Sequence, residues 1–197
     1  MYKIEDVIQA LLYYAGSQSI KTKIVKACYL LESEYFDKTG KRLTNIEYIY
    51  YLYGPYSRKI NNVLIKNPNF VIESKMSKNK NNYQLIRIVK EPKLSKFDSF
   101  TLSLIKKWGH LMVSEDTNKM LKLAHEDKNF IKTPKEKNIQ FNSEFLKKKE
   151  TLKQRVKNKF RNYKLTKKDF EALKAAHEKE LVNYSKKLLI KNGKDPS

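Results

Sequence analysis

The side chains in this sequence that are best equipped for covalent or metal chemistry are one cysteine, Cys28, and three histidines, His110, His125 and His177. A nucleophilic site needs a thiol or hydroxyl beside a base, and a third group to orient that base. The three histidines fall in separate predicted helices, and no serine sits in a nucleophile motif. Cys28 lies in the apolar run from Ile24 to Leu31, where a buried, inert thiol is expected. A metal site needs three or four ligands at workable spacing, and one cysteine with dispersed histidines does not supply them. The five glycines are too scattered for a phosphate loop. The residues therefore predict no enzyme, no metal and no cofactor.

Charge points elsewhere. The chain has 197 residues with 42 Lys and Arg against 21 Asp and Glu, a formal charge of +21. Such a surplus draws a protein toward phosphate backbones or acidic partners. Two groups of cations are candidates for nucleic-acid contact. The first lies on a short predicted helix running to Lys66. With Ile60, Val63 and Leu64 facing inward, Arg58, Lys59, Asn61, Asn62 and Lys66 remain outside. Arg and Asn suit base edges, Lys suits phosphates, and Lys75, Lys78 and Lys80 of a following hairpin could reach adjacent phosphates. The alternative is a solvated polar face. The second group lies near the C-terminus and includes Lys148, Arg155, Lys159 and Arg161, with Phe160 and Tyr163 among them. It fits phosphates, or a helix docked on an acidic protein. Residues 135–197 carry a net charge of +11 and residues 1–134 a net +10, so the last third holds half the charge.

The elements that must position these residues read as follows. Ile4, Val7, Ile8, Leu11, Leu12 and Ala15 form one helical face, ended by Gly16. Ile20, Ile24, Ala27, Cys28, Leu31 and Tyr35 form a second helix, stopped near Gly40 and packed on the first. A tyrosine-rich segment, Ile46 to Tyr56, breaks at Gly54-Pro55. Pro55 fits the first turn of the next helix, and Asn67-Pro68-Asn69 ends that helix. The tyrosine pattern leaves strand and helix open, and core packing and a partner surface both suit it. Phe70–Met76 and Tyr83–Val89 predict a hairpin. Ser95 with Asp98 predicts a capping box, Ser114 a further cap, and Thr133-Pro134-Lys135-Glu136 a helix start. Thr166 with Asp169 opens a final helix.

Three segments carry a family likeness. They are Lys23-Ile-Val-Lys26-Ala-Cys-Tyr29, then Gly40-Lys-Arg-Leu43, then Tyr53-Gly54-Pro55-Tyr56. Together they resemble the Panacea (SocA-like, GepA-like) phage-associated antitoxin domain over residues 1–132. A further match lies at Leu121–Phe130. Ala27 and Cys28 stand where that family has leucines, and the last match lacks its proline. The resemblance implies a toxin-neutralising, protein-binding domain of phages and mobile elements, with Lys23, Lys26, Tyr29, Tyr53, Gly54, Pro55 and Tyr56 as its motif residues.

The expected protein is mainly α with a small β-hairpin. A helical domain with a winged-helix-like element spans 1–132, and a basic helical extension spans 133–197. The expected function is antitoxin-like, neutralising a toxin or host factor by direct contact, with DNA binding as an added property. The alternative is a winged-helix DNA-binding regulator of viral or mobile-element origin. With one cysteine, no apolar run of membrane length and no signal-peptide pattern, a cytoplasmic protein with no membrane partner is expected.

Overall fold

A computed structural model describes residues 1–77, 80 and 82–141, all within one compact unit, Met1–Leu146. The predicted helices beyond residue 141 lie outside the described residues. Among the described residues six α-helices and three short strands follow in order: α1 Ile4–Tyr14, β1 Gln18–Ile20, α2 Lys21–Thr39, α3 Arg58–Lys66, β2 Phe70–Met76, β3 Asn82–Ile88, α4 Ser99–Ser114, α5 Thr117–His125 and α6 Lys128–Ile131. The fold is mainly helical with one small antiparallel sheet, as the sequence predicts.

α1 buries Ile4, Val7, Ile8, Leu11 and Leu12, the stripe read from their spacing. The chain then reverses through Gly16 and Ser17, both at positive φ. α2 ends where Gly40 takes the left-handed conformation, at φ 71°, and donates its N–H to the Phe36 carbonyl. The sheet order is β1-β3-β2. Register sets Phe70 opposite Ile88 and Ile72 opposite Ile86. Period-two alternation therefore turns Phe70, Ile86 and Ile88 into the core, and puts Glu73, Lys75 and Arg87 on the other face. β1 is too short to show alternation, and it was not anticipated in the sequence.

α4 packs against both α1 and α2. Gly109 permits the close approach to α1. A Cβ there would lie 2.6 Å from Tyr14 Cβ and 2.9 Å from the Leu11 carbonyl oxygen.

Several local expectations are corrected. The α4 cap is Asp98, which accepts from Thr101 N at 2.8 Å, while Ser95 falls in a separate 3-10 turn, Leu94–Lys96. Asp116, not Ser114, caps α5 by accepting from Lys119 N at 2.7 Å. In both places a carboxylate nearer the first turn displaces the serine. Pro55 stands outside α3, whose N-cap is Ser57.

The largest departure is at Thr133-Pro134, where no helix starts. Thr133 Oγ1 instead donates back to Asn129 O at 2.6 Å, closing α6. Glu136 sits at φ 61°, and the chain then pairs with the tyrosine segment through Tyr50 N–Lys137 O (2.9 Å) and Ile139 N–Tyr48 O (2.7 Å). Burial of Ile139 and packing of Phe141 against the Tyr29, Phe36 and Tyr48 rings outweigh the capping signal. The packed unit thus runs past residue 132.

The α1–α4 contact gives a direct test. Gly109→Ala must push backbone as well as side chain, so it should cost about 1–3 kcal/mol of unfolding free energy. Urea titration of the variant against the parent measures this, and an unchanged midpoint would show that the helices can separate freely.

Candidate functional site

Candidate sites are built outward from α2, because one face of that helix holds several distant segments. Lys23 Nζ donates to the carbonyls of Met112 (3.0 Å) and Glu115 (2.7 Å), at the C-terminal end of α4. Helix C-termini leave such carbonyls without partners and favour a cation. One turn on, Lys26 Nζ donates to the Pro55 carbonyl at 2.8 Å. A further turn on, Tyr29 Oη donates to Asp127 Oδ1 at 2.5 Å, and Ser33 Oγ donates to Asp127 Oδ2 at 2.7 Å. Asp127 in turn caps α6, accepting from Asn129 N at 3.0 Å. Burial, and then the neighbouring Asp127 carboxylate, push the Tyr29 phenol well above its usual range.

Glu32, on the same helix, is fully buried. Its carboxylate accepts from Arg42 Nε (2.7 Å), Leu43 N (2.8 Å), Thr44 N (3.1 Å) and Thr44 Oγ1 (2.6 Å). These donors satisfy a charge that would otherwise be costly to bury.

The motif residues Lys23, Lys26 and Tyr29 are therefore internal ties. Lys26 is 4% exposed and has no carboxylate partner among the described residues, and burial pulls its ammonium down to about 8. The next layer is Gly54. It has φ 82°, and a Cβ there would lie 2.8 Å from His125 Cδ2 and 3.3 Å from Lys26 Nζ. Both its conformation and its neighbours require glycine. On the approach to this turn, Tyr50 stacks on Phe130 with centroids 4.2 Å apart, and Ile49 and Tyr56 exchange backbone hydrogen bonds.

Fixing the turn from below leaves its apex outside. Tyr51 is 51% exposed, Leu52 73% and Tyr53 64%. With Leu121, His125 and Ile131, Leu52 and Tyr53 line a shallow depression of about 490 Å³. The tyrosine segment is divided between the core and the surface. Tyr48 is core, Tyr50 and Tyr56 are half-buried, and Tyr51 and Tyr53 are surface. Leu52 and Ile131 were not singled out in the sequence, and Leu121 was read as the start of the Leu121–Phe130 likeness. Only the continuity of Leu52 with the tyrosine run could have marked it.

The second candidate surface is α3. Ile60 and Leu64 are buried and Val63 half-buried. Arg58, Lys59, Asn62 and Lys66 are exposed, and Asn61 is half-buried. The exposed four line a groove of about 1240 Å³, together with Glu5, Glu47 and Glu136. None of Arg58, Lys59 and Lys66 forms an ion pair among the described residues. On the hairpin, Lys75 is exposed, but Glu73 pairs with it at 3.2 Å and with Arg87 at 3.3 Å. Lys80 is exposed at the turn. Lys78, Lys148, Arg155, Lys159, Arg161 and His177 lie outside the described residues.

Cys28 is buried, and burial followed by the nearby Glu32 carboxylate raises its thiol far above the usual value. His110 meets the edge of Tyr14 and His125 lies beside Phe130. Among the described residues no cluster of His, Cys, Asp and Glu could hold a metal ion, and no helix is long and apolar enough to cross a membrane. Set against known proteins, the chain matches no family model, no curated protein and no solved structure.

Lys26 supplies a pH test. Its folded-state value is lowered from 10.5 to about 8, so between those limits the unfolded chain binds more protons than the folded one. Stability should therefore rise with pH across that window, by roughly 3 kcal/mol. Lys26→Met should flatten this rise in denaturation curves taken from pH 7.5 to 10.5. A parallel pH slope in the variant would show that the ammonium is not desolvated in the folded protein.

Proposed function

We propose that this chain is a non-enzymatic, antitoxin-like binding protein of the Panacea type, from a phage or mobile element. On this reading it acts in the cytoplasm and neutralises a partner protein by direct contact. The observation that carries the reading is the apex Tyr51-Leu52-Tyr53, three consecutive large side chains held in water by a turn that is tied from beneath. Tyrosine and large apolar side chains on a fixed support are what binding hot spots require. Burying Leu52 alone against a partner is worth about 1.5–3 kcal/mol. Because Lys26, Gly54 and the Tyr50–Phe130 stack already order the turn, association loses little conformational freedom. The Panacea likeness rests on Lys26, Gly54 and Pro55 among others, the same residues that build this support.

A second reading is DNA binding, favoured by the element order. The succession α1-β1-α2-α3-β2-β3 with sheet order β1-β3-β2 is compatible with a winged helix in which α3 reads the groove and the hairpin is the wing. Arg58, Lys59, Asn62 and Lys66 are the exposed polar side chains of that helix, with Ile65 exposed beside them. One departure is the long connection, residues 40–57, where a helix-turn-helix has a turn of about three or four residues.

Two variants separate the readings. Leu52→Asp with Tyr53→Ala should abolish capture of the partner from host lysate at high salt, where phosphate contacts are suppressed, while leaving the melting temperature unchanged. The same proteins recovered by parent and variant alike would sink the apex as the binding surface. Arg58→Ala with Lys59→Ala should weaken binding to a short duplex and lower the salt slope by about two counterions. An unchanged slope would remove α3 from the DNA reading.

A further inference from the structure

We propose that the first turn of α3 is a seat for one phosphate group, with Ser57 as its hydroxyl donor. α3 has nine residues, enough to carry an N-terminal dipole, and its first turn holds no acidic side chain. Ser57 occupies the N-cap position with extended backbone, φ −135° and ψ 122°, as a capping residue does. Yet its side chain accepts no hydrogen bond from the helix. Ser57 is 1% exposed, and its Oγ has no hydrogen-bond partner among the described residues. A buried hydroxyl without a partner is costly and rare. The first-turn N–H groups also lack intrahelical acceptors, and here the usual capping oxygen does not take their place.

Ser57, Arg58 and Lys59 all line the α3 groove. A hydroxyl, first-turn amides and two cations with no ion pair among the described residues therefore gather at one end of one helix. A tetrahedral phosphate can accept from all of them, and helix N-termini are suited to that anion. Glu5, Glu47 and Glu136 line the same groove and balance Arg58, Lys59 and Lys66 in formal charge. Net charge consequently does not select the anion. The directed O–H and N–H donors do, and free phosphate should bind only weakly. The seat stands on these donors. Only its assignment to a nucleic-acid backbone rests on the DNA reading above.

The test uses the full isotope-labelled chain titrated with inorganic phosphate, against chloride at matched ionic strength. The backbone amides of Lys59 and Ile60 should shift saturably in the parent. Ser57→Ala should weaken phosphate binding by roughly tenfold or more, the loss of one charge-assisted hydrogen bond. Ser57→Asp should place its own carboxylate in the seat, raising the melting temperature and abolishing the phosphate response. Parent amides that respond no more to phosphate than to chloride would overturn the proposal. So would equal phosphate binding by parent and Ser57→Ala, with only stability lowered, because Ser57 would then be a cap and nothing more. A short DNA duplex forms the second arm. Phosphate shifts without duplex binding would keep the seat and reject the DNA source. Duplex binding that Ser57→Ala leaves untouched would keep the DNA reading and reject the seat.

Discussion

The ammonium of Lys26, buried beneath the turn at Gly54 with no counter-charge among the described residues, is the constraint that fixes the tyrosine loop to α2. A lysine in that position loses hydration that one hydrogen bond to the Pro55 carbonyl only partly replaces. A leucine there would carry no such cost but could not hold the loop carbonyl, so the contribution of the lysine lies in what it fixes. The lysine reaches up from α2, the proline carbonyl comes down from the loop, and Gly54 brings the backbone close enough for the two to meet. Neighbouring ties on the same helix face follow this logic. Each joins a side chain of α2 to a backbone or carboxylate group far away in sequence. α2 is thus a rod to which the end of α4, the tyrosine loop and the cap of α6 are fastened.

The regular elements were legible because their signals are local. The stripe from Ile4 to Leu12, the Gly40 stop and the hairpin at 70–88 depend on residues within one or two turns of each other. The motif residues were legible as a pattern but not as roles. Nothing in Lys23-x-x-Lys26-x-x-Tyr29 reveals that its polar ends point inward, because their partners lie 29 to 98 positions away. Asp127 is a similar case. It falls inside the quoted Leu121–Phe130 likeness, but its two jobs, capping α6 and receiving Tyr29 and Ser33, appear only once α2 and α6 are adjacent.

Two expectations failed for related reasons. Pro55 and the Thr133-Pro134 pair both carry good local helix signals, and in each a competing backbone partner was nearby in space. Next to Pro55, Ile49 pairs with Tyr56. After Pro134, Tyr48 and Tyr50 pair with the chain at 137–139. Burial of Ile139 and Phe141 then adds apolar contact that a solvated helix start could not match. The exposed cations of α3 were found correctly from their spacing. The three glutamates that share their groove come from distant segments and were invisible to the same reading.

The strand-like return of residues 137–139 also bears on how the molecule can be divided. A cut at the end of α6 looks natural from charge and composition, because the lysine-rich stretch begins there. Yet that cut would strip Phe141 from the Tyr29, Phe36 and Tyr48 rings and from the Arg42 guanidinium stacked above it. The shortened chain would open its own aromatic cluster to water. Its altered binding would then report damage to the folded unit rather than the missing extension, so a faithful dissection has to leave the chain intact through Phe141.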